Sequence, residues 1–295
     1  MSGIIQTLKT SWAKTLGGRQ FWSDVSFFRG WRIQENAFSD HYRLLDPDNH
    51  RYASGSLEQC STILKTVREK NQLPQMSGHA VILVHGLIRS SRSFDSLARR
   101  LQTHNFTIVP FDYPSTRRSI PDAADCLSRV IKSLEGIKSI DLVVHSLGGL
   151  VLRYYLRDRC DDRIRRAVLL GVPNHGAQIA DRFHKNVFYR MLYGPAGQQL
   201  TSEESGLIAG LPAPNFEFGV IAGGRGRVRG FNPLLRGDND STVTVRSARL
   251  TGAADFMLQP VIHSFLMSDR RCVQAIASFL EYGKFDPDRE PQPIM

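Results

Sequence analysis

Three side chains that lie far apart in this chain, Ser146, Asp240 and His263, have the types needed to attack a carbonyl carbon. A serine hydroxyl is a weak nucleophile until a base takes its proton, and that base needs an acid on its other nitrogen to fix its tautomer. Ser146 stands where the apolar run Leu142-Val143-Val144 stops and a helical pattern resumes through Leu150, Val151, Tyr154 and Tyr155. The stretch reads as strand, sharp turn, helix, a geometry that exposes the serine hydroxyl at the end of a sheet. Gly148 and Gly149 leave room for the helix to pack closely. Val144 stands where the G-x-S-x-G pattern has its first glycine, so the strict motif is not met.

Of the nine histidines, His263 is the expected base, because it lies between the last strand pattern and the last helix pattern and follows the acidic loop. His175 and His184 are the other candidates, since they border an irregular insertion. In the run Gly237-Asp238-Asn239-Asp240-Ser241-Thr242-Val243, Asp240 is the expected orienting acid and Asp238 the alternative. Gly86 after the apolar run Val81–Val84 permits a tight turn, so the amides of Leu87 and Leu147 are expected to form an oxyanion hole.

These residues need a scaffold that gathers them on one rim. From residue 79, strand patterns (80–84, 106–111, 140–144, 164–170, 218–222, 256–261) alternate with helix patterns (94–101, 123–134, 150–157, 273–280). Such alternation predicts an α/β fold with a mostly parallel, doubly wound sheet and helices on both faces. Reactive groups then sit in loops at the carboxyl ends of strands, where His85-Gly86-Leu87, Ser146, Asp240 and His263 all fall.

Regularity breaks over about 174–215, which is expected to be a lid-like insertion. Phe183, Phe188, Met191 and Leu192 form a helical stripe there, and Thr201 with Glu204 marks a capped helix. Residues 1–76 are read as an N-terminal helical extension ahead of a main domain spanning 77–295. Within it, 3–16 is a basic amphipathic pattern with Ile4, Leu8 and Trp12 on one stripe. That helix has two open readings, docking on the protein body or peripheral contact with a membrane. A second helix is expected from Leu57 to Leu73.

The chain has 38 Lys and Arg against 28 Asp and Glu, a net charge of +10, but the basic residues are dispersed without an aromatic platform, which argues against nucleic acid. Cys60, Cys126, Cys160 and Cys272 form neither a C-x-x-C pair nor a disulfide framework. With no recognisable leader or spanning segment, the expected location is cytoplasmic, with the membrane periphery open through residues 3–16. Gly223-Gly224-Arg225-Gly226 lacks the third glycine of a dinucleotide fingerprint, and no phosphate-binding Gly-Lys-Ser/Thr loop occurs.

Taken together, Val-Ile-Leu-Val-His-Gly-Leu at 81–87, Val-Val-His-Ser-Leu-Gly-Gly at 143–149, Gly-Val-Pro-Asn-His-Gly at 171–176, Asp-Asn-Asp-Ser-Thr-Val at 238–243 and His263 resemble an α/β-hydrolase of the bacterial lipase and esterase kind. The order Ser146, Asp240, His263 matches that family. The resemblance covers about 79–283 and implies a Ser146, Asp240, His263 triad, an oxyanion hole at Leu87 and Leu147, and neither cofactor nor metal. It implies an enzyme that cleaves carboxylic esters, with an acyl ester or lipid as substrate. Lipid acyltransferase and thioesterase action would use the same triad, and a catalytically silent scaffold of this fold is the reading outside enzymology.

Overall fold

A computed structural model describes residues 18–178, 195–197, 199–200 and 206–295. Its larger sheet is built from runs that are apolar without alternation, as strands covered on both faces require. These are β5 (Gly78–Val84), β6 (Thr107–Phe111), β7 (Ile137–His145), β8 (Ile164–Leu170), β9 (Glu217–Gly223) and β10 (Asp255–Gln259). They lie in the order β10-β9-β8-β7-β5-β6, and every neighbouring pair is parallel.

The two faces carry separate cores. Val81, Leu83, Val143, Val168 and Ile221 point to one side, where they meet Leu97 and Leu101 of α2 (Asp95–Gln102) and Ile276 and Phe279 of the last helix (Arg270–Tyr282). Ala80, Ile82, Val84, Leu142 and Val220 point to the other, toward α3 (Ile120–Ser133) and α4 (Leu147–Asp158). Capping sets the helix starts: Ser119 and Asp122 form a reciprocal box at α3, and Asp269 accepts the amides of Arg271 and Cys272 at the last helix.

The N-terminal region differs from its expected helical character. It opens with an antiparallel meander of β1 (Trp22–Phe28), β2 (Trp31–Asn36), β3 (Tyr42–Leu45) and β4 (Arg51–Gly55), and only then forms the helix α1 (Leu57–Lys70). The strands escape a pattern reading because polar residues are buried among the apolar ones: Asp24, Arg32, Gln34 and Arg43 are as enclosed as Val25, Phe27, Ile33 and Leu44. Arg32 bonds Asp24 at 3.1 Å and Asp112, just past β6, at 2.9 Å. The meander is also tied to the main sheet by the Asp24 amide on the Asp112 carbonyl (2.8 Å) and to α3 by the Phe27 amide on Ser133 Oγ (2.9 Å). Residues 3–16, the stripe Phe183, Phe188, Met191 and Leu192, and Thr201 with Glu204 lie outside the described residues.

Candidate active site

β7 ends at His145, and α4 begins at Leu147, so the whole reversal is made by Ser146. Its φ of 53° and ψ of −122° form a conformation that costs a non-glycine residue on the order of 1–3 kcal/mol. The turn persists because both sides are pinned. The Ser146 amide donates to the Leu170 carbonyl at the end of β8 (2.9 Å), and its carbonyl accepts from Gly149 (3.0 Å). Gly148 has no space for a side chain, since a Cβ there would lie 2.5 Å from the Val84 carbonyl oxygen.

His263 follows β10, and its Nδ1 donates to Asp240 Oδ2 at 2.7 Å. A second bond joins the two residues, from the His263 amide to the Asp240 carbonyl, also at 2.7 Å. The other carboxylate oxygen of Asp240 accepts the amides of Thr242 (2.9 Å) and Val243 (2.7 Å), and the side chain is buried. Those amides and the imidazole fix the carboxylate from both sides. Asp238 is engaged elsewhere, accepting the amides of Arg225 and Gly226 at 2.8 Å each. The structure thus brings Asp240, and not Asp238, to His263, whereas His175 is exposed and His184 lies outside the described residues.

Gly171 shows how closely the groups converge. It follows Leu170, the acceptor of the Ser146 amide, and a Cβ on it would lie 3.0 Å from Asp240 Oδ2 and 3.1 Å from His263 Nδ1. The structure joins His263 to Asp240, but among the described residues no hydrogen bond joins Ser146 Oγ to His263 Nε2. His145 lies beside this pair, its ring 4.6 Å from that of His263 and its Nε2 donating to the His263 carbonyl at 3.1 Å. Burial and the neighbouring His263 hold the His145 imidazole well below its ordinary range, so it stays neutral.

The loop after β5 closes the site. A Cβ on Gly86 would sit 2.9 Å from Ser146 Cβ, so only glycine allows this approach. The amides of Leu87 and Leu147 have no protein acceptor among the described residues. Ile88 next to them has φ of +56°, an outlier for a β-branched residue, and its amide donates to Ser115 Oγ at 3.1 Å. His85 is neutral by geometry: Nδ1 donates to the Gly86 carbonyl (2.8 Å), and Nε2 accepts the Tyr113 amide (3.3 Å). Burial lowers its pKa in the same sense.

Comparisons with known proteins agree with this architecture. The family model of the alpha/beta hydrolase fold matches residues 79–204. The chain has the α/β-hydrolase fold. Among solved structures, the mature Bacillus licheniformis lipase BlEst2 superposes with a TM-score of 0.52 at 20% identity, over 72% of this chain and 94% of that one. The esterase EaEST of Exiguobacterium antarcticum gives 0.51 at 14% identity, over 70% and 92%. The lysosomal thioesterase PPT2-B of Xenopus laevis is 32% identical over 105 residues, and the match spans only 36% of that protein's length.

Around its sheet this protein carries supports that no local pattern announces. Asp112 accepts the Ser91 amide (2.7 Å) and hydroxyl (3.0 Å), tying the loop that bears Leu87 to the Arg32 network of the meander. The residues involved stand 21 and 80 positions apart, so spacing gives no signal. One group of three potential metal ligands occurs among the described residues, Asp46, Asp48 and His50 on the turn after β3. There Asp46 Oδ1 accepts the amides of Asp48 and His50, which is turn chemistry.

Proposed function

We propose that this α/β-hydrolase is a serine carboxylic-ester hydrolase that works through an acyl-enzyme on Ser146. The observation that carries the reading is the 2.7 Å bond from His263 Nδ1 to buried Asp240, which leaves Nε2 as the basic nitrogen, and the forced conformation of Ser146 at its turn supports it. Ser146 Oγ attacks the ester carbonyl while His263 Nε2 takes its proton. The oxyanion rests on the Leu87 and Leu147 amides, and His263 then protonates the departing alcohol. Water, deprotonated by the same imidazole, attacks the acyl-enzyme and releases the acid.

Catalysis needs the donors already in place, because preorganised dipoles do not have to reorient as charge develops. The structural supports of the loop fit that demand. Gly86 permits its approach to Ser146, and Ser115 fixes its far end through the Ile88 amide. The substrate class is an acyl ester or lipid. A thioester is the second reading, favoured by the 32% identity to the PPT2-B thioesterase; its carbonyl would meet the same nucleophile and donors.

The test is a series of acyl esters from acetyl to palmitoyl, dissolved and micellar, with matched acyl thioesters, hydrolysed by the native protein and by Ser146→Ala. Ester turnover that disappears in the variant supports the proposal, and the rank of chain lengths names the substrate. Turnover of thioesters alone moves the reading to a thioesterase. Native rates that do not exceed those of the variant on any substrate overturn both.

A further inference from the structure

Beside the Leu87 loop lies a cavity of about 370 Å³ whose lining is cationic and hydroxylic. Arg89 and Ser90 come from the loop after β5, while Ser115, Thr116 and Arg117 come from the loop after β6. Both arginines are exposed, and neither has a carboxylate within ion-pair distance among the described residues. The Arg117 guanidinium lies 5.9 Å from the Phe21 ring, which gives it a wall but no neutralising charge. Asp112 also lines the cavity, yet it is buried, and its oxygens are taken by Arg32 and by the Ser91 amide and hydroxyl. Despite the penalty of burial, Arg32 keeps that carboxyl below its ordinary range. The balance of charge facing the cavity is therefore positive.

The cavity adjoins the reacting centre. Ile88, part of its lining, is two residues past Gly86, hence within about 8 Å of it along the chain. A Cβ on Gly86 would touch Ser146. The same rim is cationic on its far side, where Arg225, Arg227, Arg229 and Arg236 are exposed on the loop after β9. The rim acids are spoken for: Asp238 by the amides of Arg225 and Gly226, Asp240 by His263, and Asp269 by the helix it caps. A cleft lined by one sign of charge raises the local concentration of the opposite sign.

Resting on the ester-hydrolase reading, we infer that the substrate of this enzyme carries an anionic group away from the scissile bond, and that Arg89 and Arg117 bind that group in the cavity beside the Leu87 loop. Arginine suits the task because its planar donors match carboxylate and phosphate oxygens in pairs. Ser90, Ser115 and Thr116 add hydroxyl donors; Ser115 Oγ accepts from Ile88 and keeps its own hydrogen to give. A soluble anionic ester and a lipid with an anionic headgroup present the same chemistry to these residues.

Two measurements on the full chain decide it. Calorimetric titration with inorganic phosphate reads the cavity without turnover. Binding to the native protein that weakens ten-fold or more in Arg89→Gln/Arg117→Gln supports the inference. No binding, or equal binding by the variant, overturns it even if esters are cleaved. The second measurement compares kcat/KM for mono-4-nitrophenyl glutarate and 4-nitrophenyl pentanoate, and for vesicles of phosphatidylglycerol and phosphatidylcholine. The native enzyme should prefer the anionic member of one pair by at least ten-fold, and that pair identifies the source as soluble or lipid. The preference should fall to within two-fold in the double variant. Absence of preference in both pairs, or its survival in the variant, overturns the inference. Absence of all ester turnover would instead sink the hydrolase reading, with the phosphate titration still deciding the cavity.

Discussion

Two buried charged clusters sit at opposite ends of this protein's logic. At the rim of the parallel sheet, Asp240 is enclosed by two amides and one imidazole, and the far nitrogen of that imidazole is left without a described partner. Between the two sheets, Asp24, Arg32 and Asp112 close on one another, with Gln34, Asn49 and Ser91 taking up remaining donors and acceptors. The first cluster ends in an open valence and can act on a third molecule. The second has none and joins structure. Burial and hydrogen bonding are common to both, so what separates the candidate site from the joint is the group left over.

That comparison is broken most severely at the rim. Asp240→Asn should lower kcat for ester hydrolysis by about 10⁴-fold, as loss of the orienting acid does where the wrong tautomer results. Asp238→Asn, whose carboxylate accepts the amides of Arg225, Gly226 and Asn239 and does not meet His263, should cost less than about ten-fold. Equal losses in the two variants would mean that the acid was assigned to the wrong residue.

At the joint the expected effect is on stability. Arg32→Met leaves two carboxylates buried without their cation, which should destabilise the fold by about 3–5 kcal/mol in urea unfolding. A loss below about 1 kcal/mol would show that the meander is held by its apolar contacts instead. Loosening of the Ser91 anchor should also reduce kcat more than it raises KM, because that loop carries the Leu87 amide.

A smaller effect follows from pH. Burial, aided by the charge of Asp112 and opposed by Arg32, pushes Asp24 from its ordinary 3.8 up to about 6. Between pH about 4 and 6 the folded chain therefore keeps a proton that the unfolded chain releases, so the Asp24 contribution to stability falls as pH rises through that window. The change amounts to at most about 3 kcal/mol. Asp112, held below its ordinary value, acts in the opposite direction and loses its contribution as pH falls below about 4. Asp24→Asn should remove the decline between pH 4 and 6, and an unchanged unfolding profile in that variant would place the proton elsewhere.

The smallest effect sharpens the account of strain. Ile88 is half exposed with φ of +56°, so Ile88→Gly gives up little burial and relieves a left-handed backbone. Stability should rise by about 1 kcal/mol or less, since glycine also loses more freedom on folding. A clear loss would show that the Ile88 side chain packs against something that holds the loop.

The rim was legible because its signals are local. Val81–Val84 and Leu142–Val144 are buried on both faces of a sheet, and the abrupt change of pattern at Ser146 records the turn. Strand ends then point to His263 and Asp240 as candidates without any contact being known. Chain order favours Asp240 over Asp238, but both stand in one acidic loop, and only the backbone path shows which carboxylate meets His263. The meander was illegible for the opposite reason. Its strands bury Asp24, Arg32, Gln34 and Arg43 beside apolar residues, so the alternation that marks a strand is blurred by polar residues that bond across neighbouring strands and, through Arg32, to Asp112. His145 and Ser91 were overlooked because their roles are defined by contacts to His263 and Asp112, and neither contact leaves a spacing to read.

The central claim, that the Asp240–His263 pair activates Ser146, is tested most directly by covalent trapping. A fluorophosphonate probe transfers its phosphonyl group to an activated serine Oγ and releases fluoride. Intact mass after brief exposure should show one adduct on the native protein, mapped to Ser146 by peptide mass, with none on Ser146→Ala and labelling of His263→Ala slowed by at least 10²-fold. Absence of an adduct on the native protein, or labelling that persists in Ser146→Ala, would contradict the account.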